Sequence, residues 1–342
     1  MGFGLQGFMG ENAASGGTAE VLVRTGGFAT RRLMRRLLET FQFLLQVTYS
    51  VEALQPGGVG HMATIRVRLL HAAVRSRILK LVADRPEYFD ISQHGMPIND
   101  LDSIHAIVTF CCNHTWLQLP FMGICPRPEE ASEYIAVFRY VSHVIGSPNG
   151  VFGSTESAKA MMESIAYHEL RVTPTSRILA NNFVQCLTDL APINLSVPFI
   201  EAGCRVLNGD MFCDELGLGK STIYSYCCFR GFCSIVGCLA FLQRASPSLD
   251  NLILEWFRSK LYETIVNGEN SLNGGSVFEL KYIPRVGKST CMESNGRPKQ
   301  WTMFYNRPFE TTLFVVFCLK YFFFLCILFA FFLLGQFGLQ AL

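Results

Sequence analysis

The chain has 342 residues, which is enough for one large domain or two small ones. Half of the residues are hydrophobic and 16% are charged, so the chain is more apolar than an average soluble protein. The net charge of +2, without basic runs interleaved with aromatic residues, predicts no nucleic-acid binding. None of the thirteen cysteines forms a C-x-x-C pair, so we predict free thiols in a reducing compartment rather than a zinc site or a disulfide framework.

The first predicted helix follows a Gly-rich N-terminus. Residues 1–18 lack a basic segment leading into an apolar core, so we predict a flexible terminus and no signal peptide. Thr30 is placed to cap a helix from Arg31 to about Ser50. The apolar face of this helix carries Leu33, Leu37 and Phe41. The Pro- and Gly-containing segment 54–60 then predicts a break.

The segment from Thr64 to Val82 predicts a long helix with two different faces. Arg68, His71 and Arg75 follow at i, i+3 and i+7 and therefore share one face. The helix also carries a stripe of apolar and small residues at helical spacing: Ile65, Leu69, Ala72, Ala73, Ser76 and Leu79. Two guanidinium groups lower the pKa of the imidazole between them, which favours the neutral ring that a metal binds, and they attract anions. This combination suits a haem with its iron and propionates, whereas the alternative is a solvated basic face with a bystander histidine.

Later helices are predicted between short Pro, Gly and Asn breaks. After a loop from Asp90, Asp102 is placed to cap a helix through Cys112. Further helical patterns run over 128–146, 154–170, 175–190, 198–207, 210–216, 221–244 and 249–266. Alternating strand patterns are nearly absent, so we predict an all-α fold, a single globular domain of roughly ten helices. The remaining histidines are predicted to be polar surface or loop residues: His61, His94, His105, His114, His143 and His168.

Two segments resemble the end of a phosphate-binding loop, at 217–222 and 287–290. That loop needs a glycine five residues before its Gly-Lys pair, where this chain has Asp214 and Tyr282. It also needs a preceding strand, whereas 210–216 predicts a short helix. No G-x-S-x-G elbow is present either, so neither a nucleotide hydrolase nor a serine hydrolase is predicted.

The C-terminal segment Leu313–Leu334 is apolar except for Lys320 and is long enough to cross a bilayer. Basic residues precede it and no charged residue follows, so the predicted orientation keeps the body in the cytosol. The alternatives are a buried core helix and a Phe-rich tail foreign to the native gene product. The predicted division is a flexible terminus at 1–18, a helical body at 19–305 and a transmembrane anchor at 312–339.

Several motifs, in order, carry a resemblance. The segment 67–75 (VRLLHAAVR) has Arg68, His71 and Arg75 at the family spacing, and Arg36 with Thr40 matches an upstream Arg-x-x-x-Thr. Further similar segments are Thr25–Gly27, Gly95–Asp102, Glu130–Tyr134 and Asn208–Leu218. Together, over about residues 15–270, they resemble the rubber-oxygenase catalytic domain family. That family includes bacterial latex-clearing proteins and fungal MpaB-type oxygenases bound to the endoplasmic reticulum.

The resemblance implies a haem b enzyme with His71 as the proximal iron ligand and with Arg68 and Arg75 supporting the haem or its helix. Arg36 and Thr40 would face the haem pocket. Family members use O2 to cleave a carbon–carbon double bond of an isoprenoid or prenyl chain, leaving carbonyl products. A carboxylate removes an allylic proton in some relatives, and Glu20, sixteen residues before Arg36, is the candidate by position.

One departure and two alternatives remain open. Latex-clearing relatives have a lysine directly before the threonine of the Arg-x-x-x-Thr motif, where this chain has Glu39. A carboxylate there would change the sixth coordination position of the iron. The alternatives to an oxygenase are a non-catalytic haem- or lipid-binding membrane protein and a helical scaffold whose Arg68–His71–Arg75 face binds anionic headgroups.

Overall fold

A computed structural model describes residues 16–26, 32–190, 193–267, 272 and 307–339, with side chains to Ile327. All regular structure in these residues is helical, and eleven helices have nine or more residues. They are α1 Gly16–Arg24, α2 Leu33–Val47, α3 Val59–Asp84, α4 Asp100–Asn113, α5 Pro128–Ile145, α6 Thr155–His168, α7 Pro174–Leu187, α8 Val197–Asn208, α9 Ile223–Ala245, α10 Pro247–Tyr262 and α11 Pro308–Leu339. The predicted all-α fold of roughly ten helices with a long C-terminal helix is confirmed.

Shorter helical segments connect these helices: Val51–Leu54, Pro86–Tyr88, Ile91–His94, His114–Gln118, Leu119–Phe121, Gly150–Phe152, Asp210–Glu215 and Glu263–Asn267. The residues before the phosphate-loop-like segment 217–222 are therefore helical, as predicted, and do not form a strand. The similar segment at 287–290 and the predicted cap Thr30 lie outside the described residues.

The helix boundaries follow ordinary capping chemistry, with one correction. Ser154 accepts a hydrogen bond from the backbone of Ser157, as an N-cap should. The predicted cap Asp102 is instead the third residue of α4. Asn99 is the true N-cap, and the two side chains satisfy each other's backbone N–H groups in a capping box. Asn and Asp are both good N-caps. The helix begins after Asn99 because the Asp102 carboxylate can then accept a hydrogen bond from the Asn99 backbone N–H.

The long helix α3 turns a different face inward than its apolar stripe suggests. Leu69 is 64% exposed, and Ala72, Ala73 and Ser76 are exposed as well. The buried positions are Gly60, Ala63, Thr64, Val74 and Ile78. Helices α2 and α5 and the turn Pro86–Tyr88 pack on α3. The small side chains of the predicted stripe offer little area to bury, so the branched residues beside His71 form the packed face instead.

Two helices among the described residues are long and apolar enough to cross a membrane, Ile223–Ala245 and Pro308–Ile327. They pack against each other, and Gly231 lies so close to α11 that an added Cβ would be 1.9 Å from the Leu313 carbonyl oxygen. Leu313 is buried in this contact together with Cys228 and Phe229. The first turns of α11 are therefore part of the packed body.

Candidate active site

The candidate residues Arg36 and His71 lie on α2 and α3, two helices that contact each other. Gly60 makes their close contact possible, because an added Cβ would be 2.7 Å from the carbonyl oxygen of Gln46. Arg36 precedes Val47 by eleven residues, and His71 follows Gly60 by eleven. At about 1.5 Å per residue, both side chains begin about 16 Å from the crossing point. Arg36 and His71, 35 positions apart in sequence, therefore lie at similar distances along their two helices from this contact.

His71 has the chemical form that a metal ligand requires. The side chain is partly buried, and its ring makes no hydrogen bond within the described part of the chain. Burial, and then the charge of Arg75, lower the pKa of His71 to about 4. The imidazole is therefore neutral at physiological pH and retains a nitrogen lone pair without a partner.

The two arginines on this face are bonded to main-chain carbonyl oxygens. Arg68 donates to the Val144 carbonyl at 3.1 Å and packs against Gly146, at the C-terminus of α5. Arg75 donates to the Pro97 carbonyl at 3.2 Å and also to the Ile98 carbonyl. Ile98 itself has a left-handed backbone with a φ of 55°, a conformation that is uncommon for a β-branched residue. Both arginines fix α3 to its neighbours, and their role toward a haem stays a prediction.

Arg36 and Thr40 are engaged within α2. Arg36 forms an ion pair with Glu39, which also accepts from Arg35 at 3.3 Å. Burial lowers the pKa of Arg36, and the charge of Glu39 opposes that effect. The Thr40 hydroxyl donates to the Arg36 carbonyl at 3.0 Å. Glu39, at the position of the lysine in latex-clearing relatives, thus serves as a partner for two arginines.

Glu20 lies on the ordered helix α1. Its carboxylate accepts from Arg24 Nε at 2.7 Å and from the Thr175 hydroxyl of α7 at 2.6 Å. This carboxylate links α1 to α7. No described hydrogen bond joins Glu20 to Arg36, Thr40 or His71.

A buried polar stripe on α4 was missed from the sequence. His105, Thr109 and Asn113 are all buried, and Nε2 of His105 has no hydrogen-bond partner among the described residues. Burial lowers the pKa of His105 to about 4. The prediction of a surface or loop residue was wrong for His105. The polar spacing i, i+4, i+8 along an otherwise apolar helix was the available signal.

These residues fit a haem better than a bare metal ion. No group of three or more His, Cys, Asp or Glu side chains in the described residues could hold an ion. A haem brings its own equatorial nitrogens and needs one axial imidazole, which the neutral, unbonded His71 can provide.

The family model described as ER-bound oxygenase mpaB/B'/rubber oxygenase, catalytic domain, matches residues 1–238, more than two-thirds of the 342 residues. The chain therefore belongs to this family of oxygenases, as its motifs predicted. No curated protein and no solved structure gives a significant match to the chain.

Proposed function

We propose that this oxygenase is haem b-dependent and uses O2 to cleave a carbon–carbon double bond of an isoprenoid or prenyl chain. The observation that carries the proposal is the neutral imidazole of His71, without a partner in the described residues, in a chain of this family. Bound haem would supply the dioxygen chemistry. The reaction balances without an external reductant, because one oxygen atom goes to each carbon of the broken bond and two carbonyl groups result.

The residues of this chain would bind the haem, orient groups in the pocket and accept a proton. His71 would hold the haem iron through a ring nitrogen, and Arg75 helps to keep the imidazole neutral while tying α3 to the loop before α4. Arg36 is the residue proposed to orient groups in the pocket, with Thr40 one turn away on the same helix. Glu20 is the proposed acceptor of an allylic proton, with its carboxylate oriented by Arg24 and Thr175.

The proposed setting is a membrane, where isoprenoid substrates partition. The two long apolar helices and the family's description as ER-bound support attachment to the endoplasmic reticulum. In the predicted orientation the body, within the proposed division 19–305, faces the cytosol. The scaffold alternative loses support, because Arg68 and Arg75 bind carbonyl oxygens instead of presenting free cations for headgroups.

The test is turnover by the full chain in detergent with haem supplied. The tail must stay, because Glu310 and Leu313 are buried in the body. A farnesylated aromatic compound under O2 should yield chain-shortened carbonyl products by mass spectrometry. His71→Ala should abolish them, whereas His143→Ala, which changes an exposed histidine, should not.

Haem-loaded wild-type protein that leaves farnesylated aromatics and polyisoprene unchanged would contradict catalysis. The non-catalytic haem-binding alternative would then stand. Under that alternative, haem binding should not change on substitution of Arg36, Thr40 or Glu20.

A further inference from the structure

The start of α11 is locked to the helical body. The carboxylate of Glu310 is buried and accepts from the Ser196 backbone N–H at 2.6 Å and from its hydroxyl at 3.0 Å. Arg307 forms an ion pair with Asp189 at 2.6 Å. The direction of α11 is therefore fixed relative to α8 and α9.

Helices α9 and α11 run parallel. Tyr224 and Thr311 hydroxyls are 3.5 Å apart, and Lys320 Nζ is 3.3 Å from the Ser234 hydroxyl. Residue numbers increase in the same direction along both helices. Because Ser234 lies beside the Lys320 amine, α9 continues for eleven residues beyond that level.

Beyond Lys320, α11 leaves the body. Its side chains from Tyr321 to Leu325 are between 49% and 63% exposed, although their directions cover all sides of the helix. A helix that is apolar all round requires either a protein core or lipid, and the described residues supply no core around it. Tyr321 to Leu339 spans about 29 Å, close to the thickness of the hydrocarbon layer of a bilayer.

A second apolar surface lies beside this exit. Phe241 of α9, 70% exposed, falls about 10 Å past the level of Lys320, because it follows Ser234 by seven residues. Helix α10 begins two residues after α9 ends and has no buried residue. Leu249, Leu252 and Trp256 share one exposed face of α10 at spacings of three and four. We call Phe241, Leu249, Leu252 and Trp256 the interfacial surface.

We propose that the interfacial surface enters the membrane leaflet in which α11 begins its span, so that the body rests on the bilayer in one fixed orientation. The inference rests on the proposed membrane attachment and adds the residues that touch lipid. Its occupant is lipid because the surface continues the fixed, lipid-requiring part of α11. Its composition also suits the headgroup boundary, where tryptophan is enriched.

The test is depth-dependent quenching of a single tryptophan in the full chain, reconstituted in phosphatidylcholine vesicles. Trp116→Phe with Trp301→Phe leaves Trp256 as the reporter. The matched control replaces all three tryptophans with Phe and adds Tyr167→Trp, at a site that is 83% exposed and lies on α6. Each signal is taken relative to vesicles without bromine, which cancels quenching by bound haem.

Lipid brominated near the headgroup should quench Trp256 at least twofold, and reconstitution should protect it from aqueous iodide. The control tryptophan should stay sensitive to iodide and unaffected by bromine. Alkaline carbonate extracts proteins that are not inserted in the bilayer. If the chain resists this extraction but Trp256 behaves like the control tryptophan, the interfacial surface is refuted and the membrane anchor stands. If carbonate extracts the chain from the vesicles, both the interfacial surface and the membrane anchor are refuted. Shielding of Trp256 in detergent with a doubled molecular mass would assign the surface to a second copy of the chain and overturn the proposal.

Discussion

Two pairs of helices in this protein are built alike but use their polar groups differently. In both pairs a glycine lets the backbones approach: Gly60 between α2 and α3, and Gly231 between α9 and α11. Beside the second pair, the buried carboxylate of Glu310 on α11 accepts two hydrogen bonds from Ser196 and locks α11 to the start of α8. The neutral imidazole of His71 at the first pair has no partner within the described structure. Satisfied polar groups hold this fold, and unsatisfied ones indicate where something else binds.

The largest expected effect on stability concerns the close contact of α9 and α11 at Gly231. Gly231→Ala adds a Cβ that would sit 1.9 Å from a backbone oxygen, so the helices must separate. We expect a loss of about 3 kcal/mol in the free energy of unfolding, measured by denaturant titration in detergent. Gly237→Ala is the control on the same helix, with nothing within 4 Å of its added Cβ. It should stabilise by about 0.5–1 kcal/mol, and equal effects of the two changes would contradict a role for close helix contact.

The next effect concerns the unsatisfied buried imidazole of His105. Its pKa is about 4 in the folded protein and about 6.5 when unfolded, so the unfolded chain binds the proton more tightly. The stability that His105 contributes is therefore complete above pH 6.5 and is lost as the pH falls toward 4. Between about pH 7 and pH 5 the loss should be about 2 kcal/mol. His105→Gln should remove that part of the pH dependence, and identical pH profiles for variant and wild type would refute the assignment.

The hydrogen-bonded carboxylate of Glu310 should contribute somewhat less to the free energy of unfolding. Glu310→Gln keeps the size of the side chain but leaves one of the two Ser196 donors without its acceptor. We expect a loss of about 1–2 kcal/mol in unfolding free energy. Glu263→Gln breaks an exposed pair with Lys260 and should cost less than about 0.5 kcal/mol. A cost for Glu310→Gln as small as that of the control would show that the lock is unimportant.

The smallest effect on stability belongs to a proposed catalytic residue. The Thr40 hydroxyl bonds a carbonyl of its own helix, so Thr40→Val should change the unfolding free energy by less than about 0.5 kcal/mol. Any large loss of oxygenase turnover would then report on chemistry and not on folding. A turnover rate equal to that of the wild type would remove Thr40 from the site.

The sequence predicted the helices well because capping residues and apolar spacing are local properties. Pro128 and the left-handed Gly146 bound α5 at the predicted positions, for example. The inward face of α3 was not predictable in the same way, because exposure of Leu69 depends on which helices pack there. The sequence spacing also placed Arg68, His71 and Arg75 on one face, yet it could not reveal the carbonyl groups that hold the two arginines. Those carbonyls come from residues 97, 98 and 144, which only the tertiary fold brings near.

The most direct test of the central claim is the visible spectrum of the full chain, purified with haem supplied, for wild type, His71→Gly and His143→Gly. If His71 is the axial ligand, wild type and His143→Gly will share one Soret band. His71→Gly will lose or strongly shift that band and regain it when imidazole is added to fill the space. A His71→Gly protein that folds and keeps the wild-type spectrum without imidazole would contradict ligation by His71, and with it the proposed site.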